Sequence, residues 1–240
     1  MDRAAYDQMA DVDQTHWWYV ARRKIVSALI TRTVTLPADA RILEIGCGTG
    51  HNFPVLSQFG DVDAIEVDDA MRAVATARLG KSLGSAPLPD LVGVEDGTYD
   101  LIALLDVLEH VENDVASLAT IRRKLKPGGF ILLTVPANPW MWSAHDTVNH
   151  HFRRYTRGTL RRVAQSAGAR ITFLGHFNTI LFPLAAAVRL AGKLTGRTGA
   201  DDAQPIDPLN HLFTALFSLE RHMIGRAPMP FGVSLAAVLT

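Results

Sequence analysis

A carboxylate followed by glycines at alternate positions, Glu44-Ile45-Gly46-Cys47-Gly48-Thr49-Gly50, narrows the chemistry of this chain more than any other stretch. Glycines at that spacing let the backbone turn sharply after a strand and approach a ligand closely, with the next helix N-terminus behind. A dinucleotide fingerprint would need a third glycine at position 51, where His51 stands. A phosphate-gripping loop is also excluded, since no Gly-Lys-Ser/Thr follows. Downstream, Glu66 closes a second apolar run, Ala64-Ile65-Glu66-Val67-Asp68. An acid there can accept the hydrogens of both ribose hydroxyls, against the plainer reading of a solvated strand-end carboxylate. The distance from the glycine loop favours ribose binding. Asp68 and Asp69 read as caps of the next helix.

Other groups could move a proton or hold an ion. His110, His145 and His150 are candidates for a general base, because an imidazole titrates at about pH 6.5. Asp106-x-x-Glu109-His110 puts three donor groups at i, i+3 and i+4, on one helical face. With His145, His150 or His151 they could surround a divalent metal, but packing and ligand contact are the plainer roles and no metal is expected. Arg153, Arg154, Arg157, Arg161 and Arg162 read as a solvated face or as a cradle for a carboxylate or phosphate. His16-Trp17-Trp18-Tyr19 is too aromatic for an unburied helix start. It packs on the sheet edge or roofs a cationic ligand.

Alternating strands and helices must position these groups. Strands are expected at 41–45, 62–67, 81–84 (weak), 99–105, 130–135, 170–175 and 232–239, the last antiparallel. Helices are expected at 16–31, from about 52, at 69–79, 112–125, 156–167, 178–194 and 208–224, with a turn at 126–129. Residues 136–155 hold prolines, tryptophans and histidines without a period and read as a functional loop. Ligands of a doubly wound sheet bind beyond the carboxyl ends of its strands, the edge that all these motifs share.

The glycine loop with Glu66 resembles the first motifs of the class I S-adenosylmethionine-dependent methyltransferases. Leu105-Asp106-Val107-Leu108-Glu109-His110-Val111 resembles the family's segment beneath the sulfonium, and the 126–129 turn is a further match. The likeness covers about residues 40–136, and the flanks Trp17-Trp18 with Arg22-Arg23 and His150 to Thr156 look like the type-11/type-12 branch. It implies a doubly wound, mostly parallel seven-stranded sheet. It also implies S-adenosyl-L-methionine held by Glu44, Gly46, Cys47, Gly48, Gly50, Glu66, Val67, Leu105 and Asp106. The family's adenine-binding acid is replaced here by Ser85, so Ser85 and the backbone of Ala86 are expected to hold the base. Trp17, Trp18, Trp142, His151, Arg153, Arg154 and Tyr155 are the acceptor candidates. The implied reaction is in-line methyl transfer to a small-molecule or lipid-like acceptor, with a base only if the acceptor must lose a proton. A metal-assisted or RNA-directed methyltransferase, and a non-catalytic cofactor-binding protein, are the alternatives.

At 240 residues and 48% hydrophobic content the chain suits a single domain. Its parts are a helical cap (1–35), a cofactor core (36–136), an active-site loop (137–155) and a helical insertion (177–226). Equal numbers of basic and acidic residues, 24 each, supply no broad basic surface, so no nucleic-acid partner is expected. The single cysteine, Cys47, allows no internal disulfide and fits a reducing compartment. It reads as a small apolar residue, not a nucleophile. Residues 1–13 lack a leader pattern and no apolar run reaches the roughly 18 residues of a span, so a soluble cytoplasmic protein is expected. The apolar stretches 178–194 and 208–224 either cover each other and the sheet or touch a membrane surface or a second copy.

Overall fold

The computed structural model describes residues 10–195 and 205–240. Among these residues one sheet contains β1 (Arg41–Ile45), β2 (Asp61–Ile65), β3 (Tyr99–Leu105), β4 (Leu125–Pro136), β5 (Ile171–Phe177) and β6 (Ser234–Leu239). Their order is β2-β1-β3-β4-β6-β5. The first four run parallel, and β6 enters between β4 and β5, antiparallel to both. The helices are α1 (Trp17–Thr33), α2 (Phe53–Leu56), α3 (Asp69–Leu79), α4 (Asp114–Lys124), α5 (Ala144–Val148), α6 (Arg157–Ser166), α7 (Phe182–Thr195) and α8 (Asp207–Ser218).

Side chains alternate across each strand, and both faces are covered, which is why the central strands are nearly continuous apolar runs. Ile42, Leu101, Ala103 and Leu132 pack on the face carrying α1, α2 and α8. Leu43, Ile102, Leu104 and Leu133 pack on the opposite face with α4 and α6. Each fully buried leucine contributes roughly 1.5–3 kcal/mol, so the strand ends that carry the site stand on a rigid base. Helix α1 buries Ala21, Ile25 and Leu29 at four-residue spacing, and Arg22 with them. Trp17 packs edge-on to Phe213 and Phe217 at 5.6 and 5.8 Å, and its backbone N–H donates to Asn210 Oδ1 at 2.8 Å, docking α1 on α8.

Several expectations are corrected. The sheet has six strands among the described residues instead of seven: at 81–84 only Gly84 pairs, in a single bridge to Ile65, and Pro87 and Pro89 follow. Proline supplies no ladder donor, so the pairing stops there. The 126–129 turn lies inside β4 as a bulge, between the Tyr99–Leu125 and Leu101–Phe130 pairs. His110 ends a 3-10 turn (Leu108–His110), and α4 starts only at Asp114, so Asp106, Glu109 and His110 share no helical face. The 136–155 segment is organised: it contains α5, and Asn138 N donates to Tyr155 O while Tyr155 N donates to Pro136 O. The helical pair sits between β5 and β6 as expected, while residues 196–204 of its linker lie outside the described residues. Among the described residues no helix is long and apolar enough to cross a membrane.

Candidate active site

The carboxyl ends of β1, β2 and β3 converge on the glycine loop. Gly46 N and Cys47 N both donate to Ile65 O, at 2.9 and 3.2 Å, which folds the loop over the end of β2. Gly46, Gly48 and Gly50 have φ of 66, 55 and 76°, a region that L side chains enter at a cost. Space forbids a Cβ as well, since one on Gly46 would lie 2.8 Å from Val107 Cγ2 and one on Gly50 2.3 Å from the Phe53 ring. Glu66 lies just past β2, buried, and accepts from Gly48 N at 2.7 Å and Asp68 N at 2.9 Å. Each of its oxygens keeps a lone pair for a further donor. Asp68 caps α3 through the amides of Ala70 and Met71, as expected.

Arg22 is the centre of a buried polar network at this edge. Its Nη2 lies 2.7 Å from Asp106 Oδ2 and donates to Thr134 Oγ1 at 2.9 Å, while Thr134 donates to Asp106 Oδ1 at 3.2 Å. Its guanidinium also stacks over Trp18, 4.8 Å from the ring centre. Asp106 itself adopts φ 60°, a strained geometry at a strand end. Beside it, Glu44 Oε1 accepts from Asn52 Nδ2 at 2.8 Å, and burial pushes the Glu44 carboxyl up to about 8. Burial and the positive charge of Arg22 push His51 down to about 3.

Five residues around this edge leave buried polar atoms without a hydrogen-bond partner: Arg22 Nε, Glu44 Oε2, both His51 nitrogens, Asn52 Oδ1 and Glu109 Oε2. A stranded buried polar group costs about 1–3 kcal/mol, so such a concentration suits a polar ligand that completes the bonds. The glycine cradle, the Glu66 carboxylate and these open donors and acceptors fit a nucleoside carrying an amino-acid end.

A second cluster lies on the turn after β3. Glu109 and His110 meet His151, which follows α5, and their ligand atoms lie within 4.8 Å of one another. The His110 and His151 rings stand edge-on at 4.6 Å, and Phe152 N donates to Glu109 O at 2.8 Å. His151 Nδ1 is hydrogen-bonded to Asp146 Oδ1 at 2.9 Å. Burial would raise the Asp146 carboxyl, but its bonds to His151 and Arg154 hold it well below the usual carboxylate range. Burial and the nearby His151 push His110 down to about 3, so its ring is neutral. Burial, then the charge of Asp106, raises Glu109 well above its ordinary value.

The remaining candidates separate. His145 is half-buried, its ring 5.8 Å from that of His151, while His150 is exposed with φ 55°. Tyr155 is buried and donates to Asp114 Oδ2 at 2.9 Å. Arg154 is buried and donates to Asp146 at 2.7 Å and to Ala137 O at 3.2 Å. Arg153 pairs with Asp114 at 2.8 Å and Arg157 donates to Leu174 O at 3.2 Å, so these arginines brace the loop and form no open cradle. Arg161 and Arg162 lie on the solvated face. Trp142 is half-buried, Val67 and Ser85 are exposed, and Cys47, Ala86 and Leu105 are buried.

Sequence reasoning missed the roles of Arg22, Thr134, Asp13 and Asp146. Asp13 is fully buried, accepts from Thr49 Oγ1 and from Arg78 at 2.6 Å, and offers its carbonyl to Arg23 at 2.7 Å. It ties the N-terminal segment to the glycine loop. The one available signal was the acidic residue set among basic and aromatic neighbours, for Asp13 before His16-Trp17 and for Asp146 after His145.

A model of the methyltransferase domain family matches residues 17–173. A ubiquinone biosynthesis O-methyltransferase of Xanthomonas axonopodis pv. citri is 32% identical over 106 residues, 41% of this chain and 44% of that protein. The chain thus spans less than half the length of this curated relative. A chain of the complex between the Haloferax volcanii Trm112 methyltransferase activator and a methyltransferase superposes with a TM-score of 0.65 at 17% identity, covering 99% of this chain and 94% of that one. A SAM-dependent methyltransferase from Aquifex aeolicus gives 0.55 at 17% identity, over 73% and 93%. These two likenesses concern the fold. The family match, with the glycine cradle and Glu66 at one sheet edge, leads to a single conclusion: the chain belongs to the methyltransferase domain family.

Proposed function

We propose that this chain transfers the methyl group of S-adenosylmethionine to a small-molecule acceptor bound beneath α1 and the 136–155 segment. The observation that carries the reading is the set of open buried polar atoms on Arg22, Glu44, His51, Asn52 and Glu109 at the strand ends. The small-molecule class is supported by the printed activity of the Xanthomonas relative.

In this reading the backbone of Gly46, Cys47, Gly48 and Gly50 follows the amino-acid end of the cofactor. Glu66 takes the ribose hydroxyls, and Ser85 with the Ala86 backbone flanks the base. The free Nε–H of Arg22 is a charged donor suited to the cofactor's carboxylate. When bound, the cofactor supplies a methyl group on a positively charged sulfur. The chain's own part is to hold the acceptor in line, keep water out with the aromatic cap of Trp18 and Tyr19, and accommodate the acceptor's proton. For that last task we assign the cluster of Glu109, His110 and His151, whereas His150 is exposed.

Incubation with methyl-labelled S-adenosylmethionine and a fractionated small-molecule extract tests the reading. Label should enter an extractable compound of low mass. Retention of label only on protein, on RNA, or nowhere would overturn it.

A second reading concerns contacts. Leu184, Val188, Leu190 and Leu194 of α7 are exposed, which favours a membrane surface or a second copy on the helical pair. Vesicle flotation and sedimentation velocity distinguish the two.

A further inference from the structure

We propose that Glu109, His110 and His151 form a site for one divalent cation of the Zn²⁺, Mn²⁺, Fe²⁺ class, beside the methyl-transfer site. Three features of the geometry carry it. Their ligand atoms already lie within 4.8 Å of one another, although the residues come from two separate segments. Glu109 is 1% exposed and its Oε2 has no hydrogen-bond partner, so a residue of the cluster carries a buried carboxyl oxygen that is open to a ligand. Finally, both imidazoles are held from behind. His151 Nδ1 is bonded to Asp146, which Arg154 Nε and Ser143 N fix at 2.7 and 2.9 Å. His110 is bonded to the backbone of Asn149. One nitrogen of each ring is thereby spent on an outer partner and the other remains for a ligand, the arrangement that orients metal-binding histidines.

The donor set selects the ion. Two imidazole nitrogens and one carboxylate oxygen suit borderline divalent metals better than Ca²⁺ or Mg²⁺, which prefer oxygen cages. Three protein ligands leave coordination positions open, as in catalytic rather than structural sites. Asp106 is no ligand here, because its carboxylate is engaged by Arg22 and Thr134.

Resting on the methyltransferase reading, the open positions would take an acceptor bearing an ionisable hydroxyl or two adjacent oxygens. The cation acidifies that hydroxyl. Its proton leaves to solvent, the oxygen lone pair forms the bond to the methyl carbon, and the carbon–sulfur electron pair stays on sulfur. The products are a methyl ether, the neutral thioether and one released proton.

Untagged protein stripped with chelator and titrated with Zn²⁺, Mn²⁺ and Co²⁺ by calorimetry tests the site, with the Co²⁺ visible spectrum reporting geometry. One equivalent should bind. His151→Ala and Glu109→Gln should each weaken binding about tenfold or more, and Asp146→Asn, which removes only the outer partner, about tenfold. His211→Ala, on the exposed face of α8, should leave it unchanged. Circular dichroism and the urea midpoint, measured in parallel, report whether each variant is folded. Absence of binding to the parent at millimolar metal, or affinity unmoved in folded Glu109→Gln and His151→Ala, overturns the proposal. Metal binding without label transfer would leave the site standing and remove the proposed reaction. Label transfer by metal-free protein would keep the methyltransferase reading and remove the cation from the reaction.

Discussion

The Arg22 guanidinium of α1 lies 2.7 Å from the Asp106 carboxylate at the end of β3, fastening the N-terminal helix over the strand ends that carry the site. Arg22 is 2% exposed and the Asp106 side chain 22%, so removing the arginine leaves a partly buried carboxylate with only the Thr134 hydroxyl, at a cost of about 1–3 kcal/mol. Arg22→Met should lose roughly that stability by urea denaturation and weaken S-adenosylhomocysteine at least about tenfold by calorimetry. Parent-like values on both counts would mean that the pair does not seat α1.

The glycine loop makes a graded prediction. Gly50 and Gly80 have similar φ, 76 and 74°, but a Cβ meets Phe53 at 2.3 Å at Gly50 and nothing within 4 Å at Gly80. Gly80→Ala should therefore cost only the backbone term, about 1–2 kcal/mol, and Gly50→Ala clearly more. Equal urea midpoints for the two variants would contradict the packing described for the loop.

Glu44 gives a pH dependence whose sign is fixed. Its folded carboxyl is raised to about 8 by burial from 4.5, so the folded state keeps a proton that the unfolded chain has released between those values. Its contribution is fully present below about pH 4.5 and is lost as pH rises towards about 8. Compared with the parent, Glu44→Gln should be close to neutral at pH 5 and relatively more stable at pH 8. His51 works in the opposite sense, losing stability as pH falls below about 6.5. Only the difference between variant and parent isolates Glu44. A constant difference across that range would show that Glu44 is ionised in the fold.

Tyr155 offers a test of its place among the acceptor candidates. Its hydroxyl is buried on Asp114, so Tyr155→Phe should cost about 1.5–3 kcal/mol and leave KM for any acceptor unchanged. A raised KM at parent stability would return Tyr155 to the acceptor site.

What could be read from sequence, and what could not, follows from the range of each interaction. The glycine loop and Glu66 were legible because their constraint is local: a strand end, a left-handed turn and a carboxylate bonded to Gly48 and Asp68. The antiparallel last strand followed from the family pattern. Arg22 was named only as part of the Trp17-Trp18 and Arg22-Arg23 flank, and its role was not legible because its partners Asp106 and Thr134 are remote in the chain. Asp146 was hidden in the same way, although His151 was already one of the three histidines that the sequence offered beside Glu109 and His110. The run from His150 to Tyr155 looked like an acceptor site, yet Arg153, Arg154 and Tyr155 turn inward to Asp114 and Asp146. Residue type alone could not distinguish a charge that binds a ligand from one that braces a loop.

The most direct measurement is calorimetric titration of the parent and of Glu66→Ala with S-adenosylhomocysteine, with circular dichroism confirming that both are folded. The parent should bind one equivalent, and the variant should bind at least about tenfold more weakly, because the ribose hydroxyls would lose their buried acceptor. No binding to the folded parent, or equal affinity in the two proteins, would contradict the placement of the cofactor at this sheet edge.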